Sequence, residues 1–239
     1  MKTALVTGGS RGIGKAIVEL LCEKGYSVAF TYKNSENEAK SLAERTGALA
    51  IKADSASEDQ VAFAVDKVIE SFGKIDCLVN NAGVSSFSLF TDLTLEEWND
   101  TLNVNLTGAF LYSREAARDM IRRKSGKIIN ITSIWGLVGS SCEVHYSTSK
   151  AGLIGLTKAL AKELGPSGIT VNAIAPGVIE TEMNKQLSEE IMNELKEETP
   201  LMRNGTALDV AKCVLFLAEE SGGFVTGQVL NVSGGFVIT

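Results

Sequence analysis

The sequence predicts an α/β protein: a single doubly wound parallel sheet, Rossmann-like, of about seven strands with helices on both faces. Three observations carry this. Short apolar runs alternate with helical runs along the whole chain, the runs such as ALV and CLVN are apolar on both faces, and glycines crowd the first strand-to-helix junction. Neither a linker nor an internal repeat interrupts the alternation, so residues 1–239 read as one domain.

Residues 3–7 form an apolar run that ends in glycines, and residues 13–21 repeat apolar side chains at helical spacing, which gives a buried strand, a tight loop and a helix. Residues 27–32 read as a second strand, 36–45 as a helix with a polar surface, and 48–52 as a third strand. Residues 57–72 are amphipathic, with Val61, Ala64, Val65, Val68 and Phe72 on one face and Ser57 placed to cap the helix. A fourth strand at 75–80 runs into the polar turn Asn81, Ala82, Gly83. Residues 95–123 then read as one long helical region with a break near 105–108. A fifth strand at 127–132, a long helix at 144–164 and a sixth strand at 169–175, ended by Pro176 and Gly177, follow. Helices at 189–198 and 207–218 and a last strand at 229–232 complete the chain.

The 239 residues are 44% hydrophobic and 22% charged with three prolines, values of a folded globular chain with ample core. A net charge of −6 without a Lys/Arg-rich arm argues against nucleic acid or an anionic membrane as partner. Cys22, Cys77, Cys142 and Cys213 are widely spaced with no C-x-x-C pair, which suits reduced thiols and offers no metal site. The start is not a signal peptide and no apolar stretch is long enough for a bilayer, so a cytoplasmic location is expected.

Chemistry concentrates between Ile131 and Lys150, ITSIWGLVGSSCEVHYSTSK. Tyr146 and Lys150 are four apart and share a helix face. A phenol ionises near pH ~10, and a fixed positive charge within a few ångströms favours its ionised form by the roughly 2 to 3 pH units that proton exchange near neutrality requires. Ser133 would hydrogen-bond the substrate oxygen that Tyr146 protonates. The same spacing also arises in helices without function.

The loop TGGSRGIG places Gly8, Gly12 and Gly14 where a strand turns into a helix, so that backbone can approach a phosphate at a helix N-terminus. The spacing is not G-x-G-x-x-G. At the end of the second strand an acidic residue would hold the ribose of NAD and repel a further phosphate. Thr31, Tyr32 and Lys33 stand there instead, with Arg11 in the facing loop, so NADP(H) is expected over NAD(H). The bland alternative is that Lys33 and Arg11 are solvated surface charges.

TGGSRGIG, Asp54 after the third strand, NNAG at Asn80 to Gly83, Asn105, Ser133, Tyr146-x-x-x-Lys150 and the pair Pro176, Gly177 together resemble the short-chain dehydrogenase/reductase family, from Thr3 to about Gly235. The resemblance implies a general acid/base at Tyr146, a lysine at Lys150 that lowers its pKa and holds the nicotinamide ribose, a carbonyl-orienting Ser133, and an Asn105 that supports a water-filled proton path. It also implies that Gly8, Ser10, Arg11, Gly12, Ile13 and Gly14 cradle the pyrophosphate and that Tyr32, Lys33, Asp54 and Ser55 surround the adenosine end. Asn81, Ala82 and Gly83 would line the adenine-side ribose, and Pro176, Gly177, Ile179 and Thr181 the carboxamide and phosphates.

Within the family the chain is most similar to 3-oxoacyl-(acyl-carrier-protein) reductases, which implies fatty acid synthesis, acyl carrier protein as partner and a homotetramer. Carrier protein is acidic, and Arg118, Arg122, Arg123, Lys124 and Lys127 offer a basic docking cluster, though cations at a helix C-terminus need no partner. Ser167, where such reductases often have a basic residue, weakens that case. The stretch SIWGLVGSSCEV also resembles reductases of an aminopentanone group on elongation factor P. Glu143 would then meet the ammonium, or else be a solvated acid. A nucleotide sensor without catalysis is the third reading, opposed by the complete set Asn105, Ser133, Tyr146, Lys150. His145 is expected to line the pocket or face solvent, and Trp135 and Cys142 to shape the pocket wall or pack in the core.

Overall fold

The computed structural model describes residues 1–182 and 188–238. One parallel sheet in the order β3-β2-β1-β4-β5-β6-β7 forms its middle layer. The strands are β1 (Thr3–Val6), β2 (Ser27–Tyr32), β3 (Leu49–Lys52), β4 (Cys77–Asn80), β5 (Gly126–Ile131), β6 (Ile169–Pro176) and β7 (Val229–Val232). The helices are α1 (Gly12–Glu23), α2 (Glu36–Thr46), α3 (Glu58–Phe72), α4 (Leu95–Leu102), α5 (Gly108–Arg123), α6 (Trp135–Val138), α7 (Val144–Leu164), α8 (Glu189–Glu198) and α9 (Ala207–Ala218).

Both faces of the sheet are apolar because successive side chains point to opposite sides. Ala4, Val6, Val28, Phe30, Cys77 and Val79 pack with Ile17 and Leu21 of α1, Leu42 of α2 and Val214 of α9. The residues between them, Leu5, Ala29 and Leu78, pack on the other face with Val65 and Val68 of α3, Tyr112 and Met120 of α5 and Leu164 of α7. Burying one such side chain contributes about 2 kcal/mol, so the doubled pattern explains the absence of polar alternation in the strands.

Three details depart from the expected elements. The fourth strand begins at Cys77 rather than at residue 75; just before it Arg123 donates to the Ile75 carbonyl, at 2.5 Å, and to the Asp76 and Asp119 carboxylates. The expected break in the long helical region is a π-helical turn, Asn103–Thr107, inserted between α4 and α5 without interruption. Helix α6 was not anticipated.

The chain runs outward from β1 to β3, then restarts at β4 on the other side of β1. In a parallel sheet such a reversal leaves a crevice beyond the strand ends, where ligands bind. No helix among the described residues is long and apolar enough to cross a membrane, and they contain no cluster of potential metal ligands.

Candidate active site

A cleft of about 720 Å³ opens at the C-terminal ends of β1, β2, β4, β5 and β6, within the size range of cofactor and substrate sites. Gly8, Ser10, Arg11, Gly12, Ile13, Gly14, Tyr32, Lys33, Asp54, Ser55, Asn81, Ala82, Gly83, Ser133, Tyr146, Lys150, Pro176, Gly177, Ile179 and Thr181 all line it. Asn105 does not; it lies buried behind Gly83 and Val84. Val84, Ser85, Phe87, Val104, Ile191 and Leu195, none of them expected from the sequence, add an apolar wall broken by one serine. Their residue types carry no chemical signal.

The glycine loop fits a dinucleotide. Gly8 and Gly12 have φ of 63° and 54°, and a Cβ on Gly14 would sit 2.3 Å from the Gly8 carbonyl oxygen and 2.5 Å from Asn81 Nδ2. The first turn of α1 has neither an acidic residue nor a side-chain cap, so its N–H groups remain for pyrophosphate oxygens. Thr7 is the hidden support: its hydroxyl accepts from the Asn81 and Ala82 amides at 3.0 and 2.9 Å. The Asn81 side chain donates to the Thr7 and Gly8 carbonyls, both at 3.0 Å. Asn81 thus holds the loop's shape with its amide.

At the adenosine end the two expected cations have partners. Lys33 pairs with Asp54 at 2.6 Å and Arg11 with Glu182 at 3.6 Å, all but Asp54 well exposed. Asn34 and Ser35 complete the same corner of the cleft.

At the other end stand Ser133, Tyr146 and Lys150. Thr132 and Ser133 extend β5, and the Thr132 hydroxyl donates to the Lys150 carbonyl, fixing α7 against the strand. Lys150 is 4% exposed, donates to the Ile131 carbonyl at 2.9 Å, and lies 5.6 Å from the centre of the Tyr146 ring. Asn105 pairs with the Val84 backbone through both halves of its amide, at 2.8 and 2.9 Å, and donates to Ser149 at 3.0 Å. In this structure it anchors the loop after β4 onto α7.

The expected lowering of the Tyr146 pKa by Lys150 does not occur in the protein alone. Burial is the main cause that pushes the phenol up to about 12; the Ser133 hydroxyl opposes it and the Glu143 charge adds to it. Burial likewise pushes Lys150 down to about 8. In each case the loss of hydration penalises the charged form.

Neighbouring residues also differ from expectation. Glu143 is not solvated: it is 6% exposed and accepts from Ser85 at 2.5 Å. His145 neither lines the cleft nor faces solvent; it is fully buried, with Nε2 2.9 Å from the Ser86 hydroxyl. Trp135 does form cleft wall, whereas Cys142 is not among the lining residues and holds the loop through its carbonyl, which accepts from Ser88.

Three of the five cations of the basic cluster have acidic partners. Arg118 pairs with Glu115, Arg122 with Asp119, and Arg123 is consumed by Asp76 and Asp119. These residues lie where α5 ends and β5 begins, at the N-terminal edge of the parallel sheet, opposite the cleft.

Residues 8–237 match the family described as enoyl-(acyl carrier protein) reductase. A 3-oxoacyl-(acyl-carrier-protein) reductase FabG of Staphylococcus epidermidis is 42% identical over 98% of both chains. One of Aquifex aeolicus is 45% identical over 98% of this chain and 96% of its own. A solved Serratia marcescens short-chain dehydrogenase/reductase double mutant superposes with a TM-score of 0.92 at 40% identity, over 98% of this chain and 97% of its own. With most of the motif residues seated in one cleft and relatives matching end to end, the chain belongs to the short-chain dehydrogenase/reductase family, oxidoreductases that act on a CH–OH or ketone group with a nicotinamide cofactor.

Proposed function

We propose that the protein is an NADPH-dependent ketone reductase whose substrate is a 3-oxoacyl thioester on acyl carrier protein, as the names of its relatives say of them. The observation that carries the reaction is the convergence of Ser133, Tyr146 and Lys150 in one cleft with the glycine loop. When bound, the reduced nicotinamide supplies a hydride to the ketone carbon. Ser133 then holds the ketone oxygen and Tyr146 gives it a proton. Lys150 holds the cofactor ribose and supplies positive charge. Asn105 keeps the Val84 loop and α7 in register, and through them supports a proton path along Lys150. Arg11 and Lys33, with Asn34 and Ser35 beside them, would hold the extra phosphate of NADPH, Lys33 exchanging Asp54 for it. A cytoplasmic homotetramer completes this reading; Leu95, Phe110, Phe216 and Phe224 provide exposed apolar surface for assembly.

A second reading, reduction of the aminopentanone group on elongation factor P, is favoured by one observation. Glu143 presents a buried carboxylate to the cleft, and among the described residues no cation pairs with it. The decisive experiment follows NADPH oxidation with an acetoacetyl thioester and, in parallel, with modified elongation factor P. Turnover of the thioester, reduced by about 10²- to 10⁴-fold in Tyr146→Phe, is the expected result. Turnover of the modified factor alone would replace the first reading with the second, and a fully active Tyr146→Phe would remove the mechanism.

A further inference from the structure

The helix that carries Tyr146 begins with a carboxylate that neither the proton donor nor the cofactor requires. Glu143 is the N-cap of α7 and three residues before Tyr146, so the two project from one face, a turn apart. Both line the cleft. The Glu143 side chain does not cap its own helix; its Oε1 instead takes the Ser85 hydroxyl at 2.5 Å. Ser85 in turn is fixed by neighbours on both sides, because Asn105 grips Val84 and the Ser86 hydroxyl meets the buried His145. The loop after β4 therefore holds this carboxylate in place.

We infer that Glu143, held by Ser85, is a positioning residue for Tyr146 that opposes ionisation of its phenol and so keeps the proton donor protonated to higher pH. The inference rests on the ketone-reductase reading and adds a role for a residue outside the reaction itself. A carboxylate held by one neutral donor, in a site shielded from water, retains most of its field. The direction agrees with the balance at the phenol, where the Glu143 charge adds to burial.

Of the other groups around Tyr146, Lys150, 5.6 Å from the ring centre, opposes this field. From α7, Lys150 is buried and turned to the Ile131 carbonyl. The His145 ring is turned to Ser86. From β5, Ser133 is uncharged, and the loop after β4 brings only serines and apolar side chains. From the segment after β6, Glu182 lies toward the adenosine end, where it meets Arg11. From α8, Ile191 and Leu195 face the cleft.

The sign follows from the two directions of the reaction. Ketone reduction needs the neutral phenol and falls as pH rises through its pKa; alcohol oxidation needs the phenolate and rises there. The test is the pH dependence of both rates at saturating cofactor for the wild type, Glu143→Gln, Glu143→Asp, Ser85→Ala and Ser85→Thr. In Glu143→Gln both limbs are expected to move to lower pH by about one unit. Glu143→Asp keeps the charge and the wild-type position. Ser85→Ala shifts part of the way and Ser85→Thr restores it.

A Glu143→Gln enzyme that is slower, or melts lower, while both limbs stay where they are would overturn the inference, since that is what a packing role alone produces. Unmoved limbs in Ser85→Ala would remove Ser85 from it. Should the wild type reduce no ketone offered, the reductase reading fails instead. The inference is then read from the ring-carbon resonance of Tyr146 in ¹³C-tyrosine-labelled protein with NADP bound, identified by its loss in Tyr146→Phe. A lower titration midpoint in Glu143→Gln supports it, and an unchanged midpoint overturns it.

Discussion

Lys33 shows what residue type reveals and what it conceals. That a cation stands where an acid would favour NAD is written in the sequence; that Asp54 already holds it at 2.6 Å is not. On the proposed NADPH reading, binding the extra phosphate exchanges one anion for another, and the advantage over NADH is expected to be smaller than two free cations would give. Replacing Lys33 by Ala is expected to raise KM for NADPH by roughly tenfold and leave KM for NADH within about twofold. An equal rise for both cofactors would sink the phosphate role. Tyr146, Lys150 and Ser133 were legible because their chemistry lies in residue type and spacing. The burial of Glu143 and His145 was not, because the serines that cover them lie 58 and 59 positions away and are in themselves featureless.

Elements were legible wherever periodicity was strong, and least so where a local rule is bent for the site. The break expected near Asn105 became a π turn because Asn105 is needed on the loop and on Ser149 together, and a wider turn lets one side chain serve both without ending the helix. Beneath it, Asn130 is fully buried and joins three elements. It accepts from Asn80 of β4 at 2.8 Å and donates to Thr157 of α7 at 2.9 Å. The pair Asn80 and Asn130 sits in register across β4 and β5, a polar link inside an apolar sheet that hydrophobic patterning could not anticipate. Asn130→Ala removes one bond from each partner, while Asn80 keeps Ser113 and Thr157 keeps the Leu153 carbonyl, and is expected to cost about 1 to 3 kcal/mol. Denaturant unfolding would show this as a lower midpoint, and a change under about 0.5 kcal/mol would mean that the link is not structural.

For the molecule as a whole, the two edges of the sheet divide the work. The cleft edge gathers polar groups and buried charge, whereas at the opposite edge Arg123 is held by its acidic partners and the basic cluster lies there, away from Tyr146. The cleft is paid for in stability. Lys150 is pushed from the usual 10.5 down to about 8 by burial, so below that pH its charge is buried at a cost. Between about 8 and 10.5 the unfolded chain binds more protons than the folded one, and the cost is relieved as pH rises. Lys150→Met is therefore expected to abolish reduction yet raise the cofactor-free Tm at pH 7 by a few degrees, about 1 kcal/mol after loss of the bond to Ile131. That gain should shrink toward pH 10. Calorimetry at the two pH values checks it, and a lower Tm at pH 7 would show that the hydrogen bond outweighs the burial.

The lysine that rests against the Ile131 carbonyl also bears on descent. On the reductase reading, the reaction is what calls for a buried ammonium at this position. In a lineage that has given up the reaction, nothing in the fold asks for it, and an apolar side chain at that position would be the stable replacement. Position 150 is thus the one to inspect when asking whether a descendant of this chain still works as an enzyme.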